Sequence, residues 1–139
     1  MRDSLVAGVK HTRRIDIDKG RTIGFMGEEG RVYATPELVR DIEKTCRDLL
    51  LEHLDEGEDS VGTRVEVDHL APTLMGMWVE LTVTVTEVKG RGVSFAISGR
   101  DPADSVAKGI HNRFVVDVEQ TKARLKAKAA KVKAAAPAE

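Results

Sequence analysis

The chain has 139 residues, 41% hydrophobic and 32% charged, with a formal net charge of -1. That length builds one core rather than two ordinary domains, and a charge balance this close to neutral gives no electrostatic footprint for nucleic acid. No apolar run approaches the roughly 20 residues of a bilayer span, and the N-terminal MRDSLVAGVKHTRR lacks the apolar stretch of a signal peptide, so neither membrane nor secretion is expected.

A first strand is expected over residues 9–18, where Ile15 and Ile17 alternate with acids. GRTIGFMGEEGR follows, dotted with glycine, and reads as a loop that can move. VYATPELVRDIEKT then opens a helix: Thr35 is a plausible N-cap and Pro36 stands at the one helical position that tolerates proline. The helix should run over residues 36–54. At 100° per residue Leu38, Ile42, Cys46, Leu49 and His53 form an apolar stripe, Val39, Leu50 and Leu54 flank Glu43, and Arg40, Lys44 and Arg47 lie opposite. An acid at a stripe edge, taken alone, reads as half-exposed and reaching for water.

After the acidic turn DEGEDS, Val61, Thr63, Val65 and Val67 alternate with polar residues, and His69 continues the same series, so it should face the helix. LAPTLMG breaks the run. Residues 78–88 form the clearest strand, KGRG supplies hairpin chemistry before Val93, Phe95 and Ile97, and DPAD turns the chain into a last strand over residues 106–118. In GIHNRFVV, Gly109, His111 and Arg113 share one face, and an arginine inside a strand calls for an anion or water. One strand, one long helix and four closely connected strands predict an α+β fold with an antiparallel sheet on a single helix. That domain occupies residues 1–120. TKARLKAKAAKVKAAAPAE, residues 121–139, reads as a lysine- and alanine-rich helix or a disordered, solvated tail.

Nucleophile elbows, phosphate loops and dinucleotide glycine fingerprints are missing. The four histidines, His11, His53, His69 and His111, lack metal-ligand spacing, so no metal is expected. The single cysteine, Cys46, sits mid-stripe as a buried thiol and suits a reducing cytoplasm. What remains is acid–base or carboxylate chemistry. An imidazole at position 69, beside a carboxylate and a capping hydroxyl, suits proton transfer near neutral pH, although a hydrogen-bonded core histidine fits the same pattern.

ATPELVRDIE, SVGTRVEVDHLAPT and KGIHNRFVV resemble the corresponding stretches of fluoroacetyl-CoA thioesterase and its relatives, over residues 9–128. Thr35, Glu43, Gly62 and His69 match that family's spacing in turn. The resemblance implies a hot-dog fold, in which a sheet wraps one long helix, and an acyl-CoA hydrolase with a Thr35, Glu43 and His69 catalytic set. It also implies the Gly62 N–H near the thioester carbonyl, and Gly109, His111 and Arg113 on the coenzyme A side. Coenzyme A would be part of the substrate, no cofactor would be needed, and the enzyme would work as a homodimer. The departure lies upstream, where a longer, aromatic-rich lid is here the short IGFMGEEGRVY, which points to short or medium acyl groups. A non-catalytic acyl-CoA-binding or regulatory module would keep the pocket and Arg113 and need neither Glu43 nor His69.

Overall fold

A computed structural model describes residues 1–135. Its elements are β1 (Lys10–Asp16), the two-residue strands β2 (Thr22–Ile23) and β3 (Val32–Tyr33), α1 (Thr35–Leu51), β4 (Glu58–His69), β5 (Trp78–Lys89), β6 (Gly92–Arg100), β7 (Ser105–Asp117) and α2 (Val118–Ala135). The five long strands form one antiparallel sheet in the order β1-β5-β6-β7-β4. One face of it wraps α1, the α+β arrangement of a hot-dog fold.

Alternation builds the core as expected. Val79, Leu81, Val83 and Val85 of β5 and Val93, Phe95 and Ile97 of β6 are buried against Leu38, Ile42, Cys46, Leu49 and Leu50 of α1. Gly90, at φ +60, turns β5 into β6, in a conformation that favours glycine. Ion pairs tie the helix to its surroundings: Arg47 grips Asp59 of β4 through two hydrogen bonds of 2.9 and 2.7 Å, and Arg13 of β1 reaches Asp48 at 2.9 Å. α1 ends at Leu51, one turn short of the expected length, and His53 bonds Ser4 Oγ at 2.8 Å instead of extending the stripe.

The alternation predicted across β4 fails at one point. The register with β7 shifts between Gly62 and Arg64, so Thr63 forms a bulge. Before it, Ser60 and Gly62 pair with Val115 and Arg113 on the helix side, and Val61 faces outward, 45% exposed. After it, Val65, Val67 and His69 pair with His111, Gly109 and Ala107 on the helix side. His69 is therefore on the expected face and Val61 on the opposite one. The bulge lets both Gly62 and His69 look inward from one strand.

α2 begins at Val118 and buries no residue. The expected tail starts as this helix, and its last four residues, 136–139, lie outside the described part. Among the described residues no helix is long and apolar enough to cross a membrane.

Candidate active site

The sequence-predicted residues fall into two groups, at the two ends of the α1–β4 contact. In the first, Thr35 Oγ1 and His69 Nδ1 are 2.8 Å apart. Thr35 is not the N-cap: Ala34 holds that position with no side-chain cap, and Thr35 is the first helical residue. Its hydroxyl is committed to the imidazole, not to the first-turn N–H groups and not to Glu43. His69 is half-buried, and loss of water lowers its pKa, keeping it neutral. Its Nε2 is buried without a hydrogen-bond partner. An orphaned imidazole nitrogen costs stability, and its residue is one of those lining a cavity of about 280 Å³, with Ile23, Val32, Tyr33, Thr35 and Leu70 among the others. A larger cleft of about 470 Å³, lined by Glu80, Ser98, Arg100 and Asp101, includes none of the predicted residues.

The second group centres on Glu43. Its half-buried carboxylate lies against Gly62, where a β-carbon would collide with Oε1; that same point is 3.3 Å from His111 Cε1 and 3.5 Å from Arg113 Nη1. Arg113 is 5% exposed, and donates from Nε to Ser60 Oγ at 2.7 Å and from Nη2 to the Ser60 carbonyl at 2.8 Å. Burial lowers its pKa and the nearby charge of Glu43 opposes that shift. His111 Nδ1 is 2.7 Å from the Arg64 carbonyl, an acceptor only, so Nδ1 carries the proton. Nε2 then accepts from Arg113 Nη1 at 3.2 Å, and the ring is neutral, with burial as the main cause of its lowered pKa. The arginine expected to need an external anion has an internal one opposite it. Gly109 has a separate structural reason to be glycine: a β-carbon there would run into the Glu66 carbonyl and Val67 Cα of β4.

The two groups do not meet within one protomer. Thr35 and Glu43 are eight residues apart on α1, roughly 12 Å along its axis. Cys46, fully buried with its thiol pushed up to about 12 by burial, is no nucleophile. Sequence reasoning missed four contributors, Arg21, Tyr33, Asp41 and Ser60. A buried aspartate at the boundary between the apolar stripe and the polar side of the helical wheel leaves no periodic signal, and Ser60 was hidden by the bulge.

Residues 17–119 match the model of the fluoroacetyl-CoA-specific thioesterase family. The chain belongs to that family. The fluoroacetyl-CoA thioesterase of Streptantibioticus cattleyicolor is 29% identical over 135 residues, 92% of this chain and 97% of that protein. Among solved structures, a fluoroacetyl-CoA thioesterase superposes with a TM-score of 0.82 at 28% identity, covering 91% of this chain and 98% of the other. A hot-dog-like protein from Thermanaerovibrio acidaminovorans gives 0.81 at 29% identity, with 88% and 91% covered. As a family member the chain is a hot-dog thioesterase.

Proposed function

We propose that the protein hydrolyses short or medium acyl-CoA thioesters, with Glu43 as nucleophile or general base and His69 as proton-transfer partner. The observation that carries this reading is the carboxylate of Glu43, half-buried against Gly62 and, among the described residues, without a hydrogen bond of its own, beside the internal cation Arg113. Such a group is free to act. Glu43 either attacks the thioester carbonyl carbon, giving an anhydride that water opens, or takes a proton from the attacking water. In both routes the C–S bond breaks, the oxygen of water ends in the acid, and a proton of water ends on the leaving thiolate by way of His69 Nε2, whose ring Thr35 orients. The Gly62 N–H is our candidate donor to the developing oxyanion. Ser60 and His111 hold Arg113, and Arg113 sets the charge opposite Glu43. We assign His111 and Arg113 to that internal role and not to the nucleotide phosphates, because both are buried and their donors are used within the fold.

The separation of the two groups calls for a second copy. β4 is an edge strand of twelve residues, with Val61 45% exposed on its outward face beside Phe114 of β7, 43% exposed, and Val65 40% exposed on the other face. Such an edge is a template for pairing. A two-fold axis near Val65 and Glu66 would bring the Gly62 end of one β4 alongside the His69 end of its partner, so that each site uses Glu43 of one protomer and Thr35 and His69 of the other. We place this dimer in the cytoplasm, where a lone buried Cys46 meets no oxidant.

Breadth of acyl group follows from the covering segment, residues 23–33. Phe25 and Met26 are 79% and 58% exposed, so little of the segment is packed to grip a small substituent. Free thiol release from acetyl-, fluoroacetyl-, butyryl- and octanoyl-CoA tests the whole reading. Turnover of the short and medium esters is expected, with fluoroacetyl over acetyl no more than their hydroxide-catalysed ratio. Absence of release from every ester sinks the activity; a fluoroacetyl preference thousands of times above the chemical ratio sinks the breadth.

A further inference from the structure

Asp41 is 5% exposed on α1, between the two functional groups. A buried carboxylate is costly unless fully satisfied, and an apolar residue of similar size would often fill such a place at no loss of stability. Here three donors converge on it. Arg21 donates from Nε to Oδ2 at 3.0 Å and from Nη2 to Oδ1 at 3.1 Å, and the Tyr33 hydroxyl donates to Oδ2.

The two partners come from opposite stems of the covering segment. Arg21 immediately precedes β2 and Tyr33 ends β3, and the Ala34 N–H also bonds the Arg21 carbonyl at 2.8 Å. One carboxylate on the helix therefore closes the base of the segment that roofs the cavity. Tyr33 does more than close it. Its ring, 2% exposed, stands edge-on to the His69 imidazole, with centroids 6.0 Å apart and planes at 79°. Besides its bond to Thr35, the imidazole, whose Nε2 has no partner, has this ring packed edge-on beside it.

We propose that Arg21, Asp41 and Tyr33 form a positioning relay for His69: Asp41, anchored by Arg21, fixes the Tyr33 hydroxyl, and the fixed ring holds the imidazole in place. None of the three touches the reacting atoms. The proposal rests on the assignment of His69 as the proton-transfer residue. Looser imidazole orientation lowers the rate of the chemical step and leaves ground-state binding of the ester alone, because misplacement of a reacting group is felt mainly in the transition state.

The test is a set of kcat and KM measurements on butyryl-CoA for Tyr33→Phe and Asp41→Asn, each alone and combined with His69→Ala. Tyr33→Phe keeps the ring and the core volume, so it reports even if Asp41→Asn fails to fold. Either variant should lower kcat about tenfold with KM within twofold, and should cost nothing further in the His69→Ala background, since residues acting through one group are non-additive. The same fold-loss with and without His69, or an unchanged kcat in the otherwise wild-type chain, overturns the relay. If His69→Ala itself leaves kcat intact, the assignment of His69 falls, and the relay with it; a costly His69→Ala with a neutral Tyr33→Phe sinks the relay alone.

Discussion

Glu43 on α1 packs so tightly against Gly62 on β4 that no side chain fits between them. The obstacle to a β-carbon is the tip of a carboxylate, which can move aside. Gly62→Ala should therefore fold normally and lose about 10²-fold in kcat, the scale of a displaced acid–base group. Gly109→Ala is the contrast, because its β-carbon would meet the backbone of β4 at Glu66 and Val67. It should cost about 1–3 kcal/mol of stability, the usual range for overpacking. Thermal melts and turnover of the two variants side by side check both, and a Gly62→Ala enzyme with wild-type kcat removes the meaning of the contact.

Glu43→Gln preserves shape and removes the charge. We expect kcat to fall by about 10²-fold or more, with the melting temperature nearly unchanged. Arg113→Ala should also lower kcat, and by the same factor on CoA esters and on pantetheine esters that lack the nucleotide phosphates. A selective loss on the CoA esters would return Arg113 to a phosphate-binding role.

A site shared between protomers makes a distinctive prediction about mixtures. Glu43→Gln and His69→Ala chains, each strongly impaired alone, should regain activity when unfolded together and refolded. In a statistical mixture half the dimers are mixed, and each mixed dimer has one site with both groups intact, so recovery should approach about a quarter of wild type. Light scattering should give twice the monomer mass. No recovery on mixing, with dimers present, would place Glu43 and His69 of the same chain in each site.

The two neutral histidines set the pH dependence of stability. Burial lowers the folded-state pKa of both His69 and His111, while the unfolded chain binds protons near 6.5. Above that value neither state is charged and stability is at its plateau. As pH falls below it, the unfolded state takes up protons that the folded state refuses, and stability drops until the folded pKa is passed. Melts between pH 7.5 and 5.5 should show this decline, at most about 1.4 kcal/mol per pH unit for each group. The paired carboxylates Asp59 and Asp101, with lowered values, add their losses only at more acid pH. A His69→Ala, His111→Gln double variant should have a flatter profile over the same window; an equally steep one would assign the decline to other groups.

Much of this protein was legible in local pattern. The stripe Leu38, Ile42, Cys46 and Leu49 specifies a helix with one buried face, because helical geometry returns to the same side every three or four residues. The alternation over β5 and β6 and the glycine at position 90 specify a hairpin by the same local logic. Thr35, Glu43, Gly62 and His69 could be picked out because their spacing along the chain matches a family pattern.

Tertiary structure alone decided the rest. The bulge at Thr63 is a property of how β4 pairs with β7, and no alternation within β4 announces it; it reverses the face of Val61 and turns Gly62 towards Glu43. Thr35 looked like a cap because capping is a local hydrogen bond, and it is an imidazole partner because β4 delivers His69 beside it. Asp41 sat at the boundary between stripe and polar side of the wheel, where a charge ordinarily reaches water. It is buried because the segment from Arg21 to Tyr33 folds over that side of the helix and brings a guanidinium and a phenol to a carboxylate that could not otherwise leave solvent.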